Sequence, residues 1–308
     1  MEIPSSSNQV DPSEYNVLIL GPGGNKGLSE IGALEYCSIT NRLRNLQVIG
    51  GVSVGAIIGL LLTCGYTVSD ILTQALSTSL LDEKNLLNYT EILNQQGIFS
   101  QKSYKEKLER IIKDKLTFIP TLDQLYHATG KEFMAVTTNV KIDKDNYIQR
   151  PEFFTYKTQP YLSSVEAALM SSNIPGLFSK IEYNGGIYVD GALSNPYPVD
   201  QYDFPGNKIL GISVIGVPSS GGRKIIDYAV QSINAPMAQL RYRIQQASSK
   251  RVSHLDIPVT IESSGLIVSK EEKKGMFMEG FLAAKKFFDQ TGKNVKYLEE
   301  TQSAVFDE

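Results

Sequence analysis

An α/β fold built on a parallel sheet is predicted by the first fifty residues of this 308-residue chain. The run "YNVLIL" (15–20) is apolar, rich in strand formers and closed by glycine. The loop "GPGGNKG" (21–27) follows, then a stretch from Leu28 to Leu43 with Ile31, Ala33, Leu34 and Ile39 at helical spacing, then a second apolar run, "LQVIGG" (46–51). Strand, glycine-rich loop, helix and strand in that order make the crossover that a parallel pair requires. No repeat, low-complexity linker or composition break follows, so one domain is expected over 15–290, with a flexible segment at 1–14 and a tail at 291–308.

The remaining elements come in order along the chain. The helix after Ser53 is almost wholly apolar and should end near Gly65. "VSDILTQALSTSLL" (68–81) and "SYKEKLERIIKDKL" (103–116) read as amphipathic helices on either side of a polar stretch, in which "NYTEILNQQGIF" (88–99) is a candidate flap. "KEFMAVTTNV" (131–140) and "YIQRPEFFTY" (147–156) read as strands. Ser163 and Glu166 make a capping-box pattern for a helix over "SSVEAALMSS", which "NIPGLF" stops. "IYVDGALSN" (187–195) is a strand that breaks at Asp190 and Gly191, and "KILGISVIG" (208–216) is a buried strand. Of two late helical patterns, 225–246 contains Pro236, which should kink or divide it, and 270–288 is capped by Ser269 and Glu272. "LDIPVTIES" (255–263) between them is a further strand.

Composition narrows the function. With 42% hydrophobic and 20% charged residues the chain can bury a sizeable core. Thirty basic against 33 acidic side chains give a net charge of −3, no footprint for nucleic acid. Cys37 and Cys64 both lie in apolar helical patterns, which argues against a disulfide framework or a cysteine metal site and fits a reducing compartment. The start has neither a basic nor an apolar leader region, and the longest apolar run, Ala56–Leu62, is too short to span a bilayer. A cytoplasmic protein, soluble or peripheral on membranes, is expected.

Chemistry concentrates at "Gly51-Val52-Ser53-Val54-Gly55", a G-x-S-x-G pattern set between a strand and a helix. In that setting the serine is a nucleophile at a sharp turn, and the Val54 amide is the first oxyanion donor. The plainer reading is a glycine-rich turn with an N-cap serine. The loop Gly21, Pro22, Gly23, Gly24, Asn25, Lys26, Gly27 offers further amides. It fails G-x-G-x-x-G in every register, and it fails the Walker pattern because Gly27 follows Lys26, so phosphate binding is the weaker reading. Lys26 also reads simply as a solvated residue at a helix start. For a base, His127 lies at a polar helix end and His254 before a late strand, whereas Asp190 stands where an apolar strand meets a glycine turn. A partly buried carboxylate in contact with the serine can accept its proton, so Ser53 and Asp190 form a candidate dyad. An ordinary Asp-Gly turn is the alternative.

Together with "MSSNIPGLF" (170–178) and "VSKEEKKGMFMEG" (268–280), these motifs resemble the patatin-like phospholipases, lipid acyl hydrolases related to the catalytic domain of cytosolic phospholipase A. The resemblance covers most of the chain. It implies a three-layer α/β/α fold with a mainly parallel central sheet, and a Ser53–Asp190 dyad supported by Gly51, Gly55, Gly191 and Ala192. It also implies an oxyanion hole at Gly23, Gly24 and neighbouring amides, no cofactor or metal, and a lipid substrate met at a membrane surface. Pro22 departs from the three consecutive glycines usual there and removes an N–H. Lys26 matches a position that is usually Arg or Lys. The reading is a serine lipid acyl hydrolase of phospholipase A type. Its alternatives are a lipid acyltransferase and a catalytically weak lipid- or phosphate-binding module on the same fold.

Overall fold

In the computed structural model the described residues are 15–77, 97–141, 149–216, 225–260 and 268–290. The strands are β1 (Val17–Leu20), β2 (Val48–Val52), β3 (Gly97–Phe99), β4 (Glu132–Asn139), β5 (Arg150–Phe154), β6 (Gly176–Phe178), β7 (Ile181–Tyr183), β8 (Gly186–Asp190), β9 (Ile209–Gly216) and β10 (Val252–Val259). The α-helices are α1 (Gly27–Ile39), α2 (Val54–Thr63), α3 (Val68–Ser77), α4 (Gln101–Leu116), α5 (Leu122–Thr129), α6 (Ser164–Ser171), α7 (Ile225–Ala247) and α8 (Lys270–Gln290). Eight strands form one sheet in the order β10-β9-β1-β2-β4-β8-β7, with β5 also on β4; β3 and β6 pair separately. The pairs from β10 to β4 are all parallel, and β5, β7 and β8 join antiparallel.

The period of two along each strand sorts side chains into two cores. Leu18, Leu20, Phe133, Ala135, Leu210 and Ile212 face a core shared with α1, α2 and α8. Their neighbours Val17, Ile19, Met134, Val136 and Ile209 face a second core, closed by Tyr197, Val199 and Tyr202 and by Met237 and Ile244 of α7. Helical layers therefore cover both faces, the three-layer α/β/α arrangement expected. On the first face α8 crosses α1 at backbone contact: a Cβ on Gly280 would fall 1.7 Å from the Ser29 carbonyl oxygen, so only glycine fits.

Three local expectations are corrected. α1 stops at Ile39 rather than Leu43, because Asn41 turns left-handed (φ 57°) and the Arg42 amide donates back to the Cys37 carbonyl. The Ser163–Glu166 capping box does not form. Lys105 Nζ takes Glu166 at 2.6 Å, the Ser163 hydroxyl is buried without a partner, and both the amide and the hydroxyl of Ser164 donate to the Pro120 carbonyl. α7 is not divided at Pro236 but continues through it as one helix. Within the candidate flap, 97–99 are strand β3, paired in parallel with β6, while 88–96 lie outside the described residues, as do 1–14, 78–81 and 291–308. The Ser269–Glu272 box forms as expected, the Glu272 amide donating to Ser269 Oγ at 3.2 Å and the Ser269 amide to Glu272 Oε2 at 2.7 Å. No described helix is long and apolar enough to cross a membrane.

Candidate active site

Ser53 stands between the last residue of β2 and the first of α2, with φ 58° and ψ −127°. A β-carbon in that region costs on the order of 1–3 kcal/mol, so the surroundings must hold it. Gly51 and Gly55 make the turn possible. A Cβ at Gly51 would lie 2.3 Å from the Gly55 carbonyl oxygen, and one at Gly55 would lie 2.5 Å from that of Gly21. The Ser53 hydroxyl makes no capping bond to α2. That removes the plain N-cap reading, because the hydroxyl points elsewhere.

Its partner is set by strand register. Val52 of β2 pairs with Val136 of β4, and Asp190 of β8 pairs with Thr137, the next residue along β4. Since β5 occupies the opposite edge at these positions, β2 and β8 run head to head along one edge of β4. Their ends meet, and Ser53 Oγ donates to Asp190 Oδ2 at 2.6 Å. Asp190 Oδ1 accepts the Ala192 amide at 2.9 Å as Gly191 and Ala192 open a 3-10 turn. Both residues of the pair are buried. Burial pushes the Asp190 carboxyl up to about 6, outweighing the hydrogen bonds from Ser53 and Ala192, which pull it down.

The glycine-rich loop leaves β1 beside this turn. The Gly21 amide is committed to the sheet, donating to the Ile212 carbonyl at 2.9 Å, and Pro22 has no N–H. Gly23 and Gly24 thus carry the first amides available; neither N–H makes a hydrogen bond among the described residues. Gly24 has φ 53° and open space where a side chain would stand. Lys26 donates its amide to the Gly23 carbonyl at 2.9 Å, and its Nζ reaches Gly216 at the end of β9. Gly27 lies against the Val54 side chain, which brings the loop to the start of α2, where the Val54 amide has no intrahelical acceptor. Asn25 sits within the short 3-10 turn that leads into α1.

Both histidines are engaged elsewhere. His127 is exposed beside Asp123, 3.5 Å away, and His254 lies inside β10 rather than before it, with Nδ1 2.9 Å from the Tyr197 hydroxyl. Among the described residues no three His, Cys, Asp or Glu side chains gather into a metal-ligand set.

Glu30, three residues after Gly27, is fully buried with both carboxyl oxygens unpartnered. Burial pushes its carboxyl well above the usual range; the Gly21 amide, which offsets this in part, already serves Ile212. The stability linked to this group is present at low pH and lost as pH rises through the raised value. Glu30→Met, which removes the buried carboxyl at similar length, is expected to raise stability at pH 8 by about 1–3 kcal/mol. Urea denaturation at pH 5 and pH 8 checks this: the gain should be larger at pH 8, and a loss at both contradicts it.

A family model described as patatin-like phospholipase matches residues 18–203, a span that contains the loop, Ser53 and Asp190. The chain belongs to the patatin-like phospholipase family. It is 29% identical over 197 residues to "Probable lipid hydrolase 463L" of Invertebrate iridescent virus 6, covering 63% of this chain and 65% of that one. It is 28% identical over 213 residues to "Uncharacterized protein R571" of Acanthamoeba polyphaga mimivirus, covering 68% of each. Among solved structures VipD from Legionella pneumophila has a TM-score of 0.57 at 16% identity, over 90% of this chain and 67% of that chain. The type III effector ExoU has 0.51 at 14% identity, over 91% and 54%. Its complex with SpcU comes from the Pseudomonas aeruginosa type III secretion system. At such identities the likeness is one of fold. The patatin-like match ends at 203, yet β9 completes the sheet beside β1 and holds the Gly21 amide.

Three side chains at the site have no role assigned by the sequence, although Ser171 and Asn173 fall within "MSSNIPGLF" (170–178), one of the stretches that carry the family resemblance. Ser171 Oγ accepts the Ser53 amide, Asn173 binds β8, and Thr138 Oγ1 donates to the Asp190 carbonyl at 2.9 Å.

Proposed function

We propose that this protein is a serine-dependent lipid acyl hydrolase, cleaving fatty-acyl esters of phospholipids or related lipids at a membrane surface, with residues 15–290 acting as one domain. The observation that carries the reading is the 2.6 Å hydrogen bond from Ser53 to a buried Asp190 at a strand-to-helix turn. Family membership supports the lipid substrate.

Ser53 Oγ attacks the ester carbonyl carbon while Asp190 takes its proton. The carbonyl oxygen gains the negative charge and is met by the amides of Val54, Gly23 and Gly24, at the positive end of α2. The tetrahedral intermediate collapses, the C–O bond to the alcohol breaks, and Asp190 returns its proton to the departing oxygen. This leaves an acyl-serine. Water then attacks the acyl carbon, gives a proton to Asp190, and the fatty acid departs as Ser53 regains its hydrogen. The reaction closes without a redox partner.

Incubation with phosphatidylcholine vesicles, with extraction of products, tests the reading. Free fatty acid and lysolipid are expected; acyl groups recovered on an added alcohol or lysolipid identify acyl transfer instead, and intact lipid in the presence of folded protein identifies a binding module. Pro22→Gly supplies one more amide to the loop. Turnover is expected to rise, by up to ~100-fold if the new donor reaches the oxyanion. A lower rate in steady-state hydrolysis contradicts this and marks Pro22 as a stiffener of the loop.

A further inference from the structure

The end of one helix touches both members of the proposed dyad, and the role inferred for it rests on that reading. α6 ends at Ser171, which is fully buried. Its Oγ accepts the amide of Ser53 at 3.0 Å. That amide lies where the β2 ladder has ended and α2 has not begun, so neither element supplies an acceptor. Two residues on, Asn173 grips the end of β8 at two points. Its carbonyl accepts the Asp190 amide at 2.8 Å, and its Nδ2 donates to the Tyr188 carbonyl at 2.9 Å. Gln101 Nε2 donates to Asn173 Oδ1 at 2.9 Å, which fixes the direction the amide faces. Thus Asn173 continues along the edge of β8 that β7 pairs as far as Tyr188.

We propose that Ser171 and Asn173 are positioning residues, a bracket formed by the last residue of α6 and the turn just after it, that sets the separation and alignment of Ser53 Oγ and the Asp190 carboxylate. The physical demand is clear. Proton transfer needs the pair within hydrogen-bond reach, and a displacement of about 1 Å costs ~100-fold in rate. β2 and β8 meet only end to end, so register along β4 alone leaves their last residues tethered on one side. The bracket ties both from the other side through bonds shielded from water. It also commits the Ser53 amide to Ser171, which leaves Val54 as the donor from this turn.

The test is steady-state hydrolysis of phosphatidylcholine by the full chain carrying Ser171→Ala, Asn173→Ala, Ser171→Thr or Asn173→Asp. Both alanine variants are expected to lose about 10- to 100-fold in kcat with KM nearly unchanged, because substrate binding is untouched. Ser171→Thr keeps the acceptor oxygen and should recover most of the loss. Asn173→Asp keeps the oxygen facing Gln101 but sets a second oxygen against the Tyr188 carbonyl, and should recover none. If Asn173→Ala fails to fold, Gln101→Ala removes only the bond that orients the amide and is expected to lower kcat in the same way. In an Asp190→Asn background the alanine changes should add almost nothing. Parental kcat in folded alanine variants, or a full additive loss in that background, overturns the bracket. Parental activity in Asp190→Asn itself overturns the dyad instead.

Discussion

Asp190→Asn is expected to lower turnover by about 10²- to 10⁴-fold while making the protein more stable above neutral pH. Asparagine has nearly the shape of aspartate and can still accept the Ala192 amide, but it cannot take the Ser53 proton. The stability effect follows from the same burial. Asp190 has its carboxyl raised from 3.8 to about 6, so the stability linked to it is fully present below 3.8 and lost as pH rises through about 6. At pH 8 the parent therefore carries a cost on the order of 3 kcal/mol that the neutral side chain escapes. Thermal melts should show the variant gaining at pH 8 relative to pH 4. In the parent, kcat/KM should fall below about pH 6 as the base is protonated. A variant that is both active and destabilised at pH 8 contradicts the assignment. The comparison variant is His127→Gln with His254→Gln, expected to keep most activity because neither ring contacts the dyad.

Ser53→Ala carries the larger loss, on the order of 10⁴-fold or more, since the covalent step disappears altogether. The fold should survive: the side chain is small, and the Ser171 bond uses the backbone amide, which alanine keeps. Removing the hydroxyl also deprives Asp190 of a bond that pulls its carboxyl down, so the buried acid becomes harder to ionise. Circular dichroism on the purified variant checks the fold, and fatty-acid release from vesicles checks the rate. Turnover near the parental value rules out an acyl-serine at this position.

Most of the sheet and the two ends of the candidate dyad are legible in the sequence because their signals are local; β7 is not among the strands read there. A strand, a glycine turn and a helix announce Ser53 within a dozen residues, and an apolar strand breaking at Asp-Gly announces Asp190. Their contact is legible only as chemistry: β8 runs antiparallel to β4, and register across 137 residues brings the two together. Ser171 and Asn173 fall within the "MSSNIPGLF" stretch, but their roles, like that of Gln101, are not legible there because their bonds span 118, 15 and 72 positions in the chain. Local rules fail where a tertiary partner displaces a local one, as when Lys105 takes Glu166 from its cap. Glu30 lies near the start of α1, and its burial is visible only in the packed structure.

Covalent capture of the nucleophile is the sharpest test of the Ser53–Asp190 pair. The folded parent, Asp190→Asn and Ser53→Ala proteins are treated with a fluorophosphonate, digested, and the adduct is mapped by mass spectrometry. A single adduct is expected on the peptide bearing Ser53 in the parent, formed far more slowly in Asp190→Asn and absent in Ser53→Ala. An adduct on any other residue, or none on the folded parent, contradicts the assignment of Ser53 as the nucleophile.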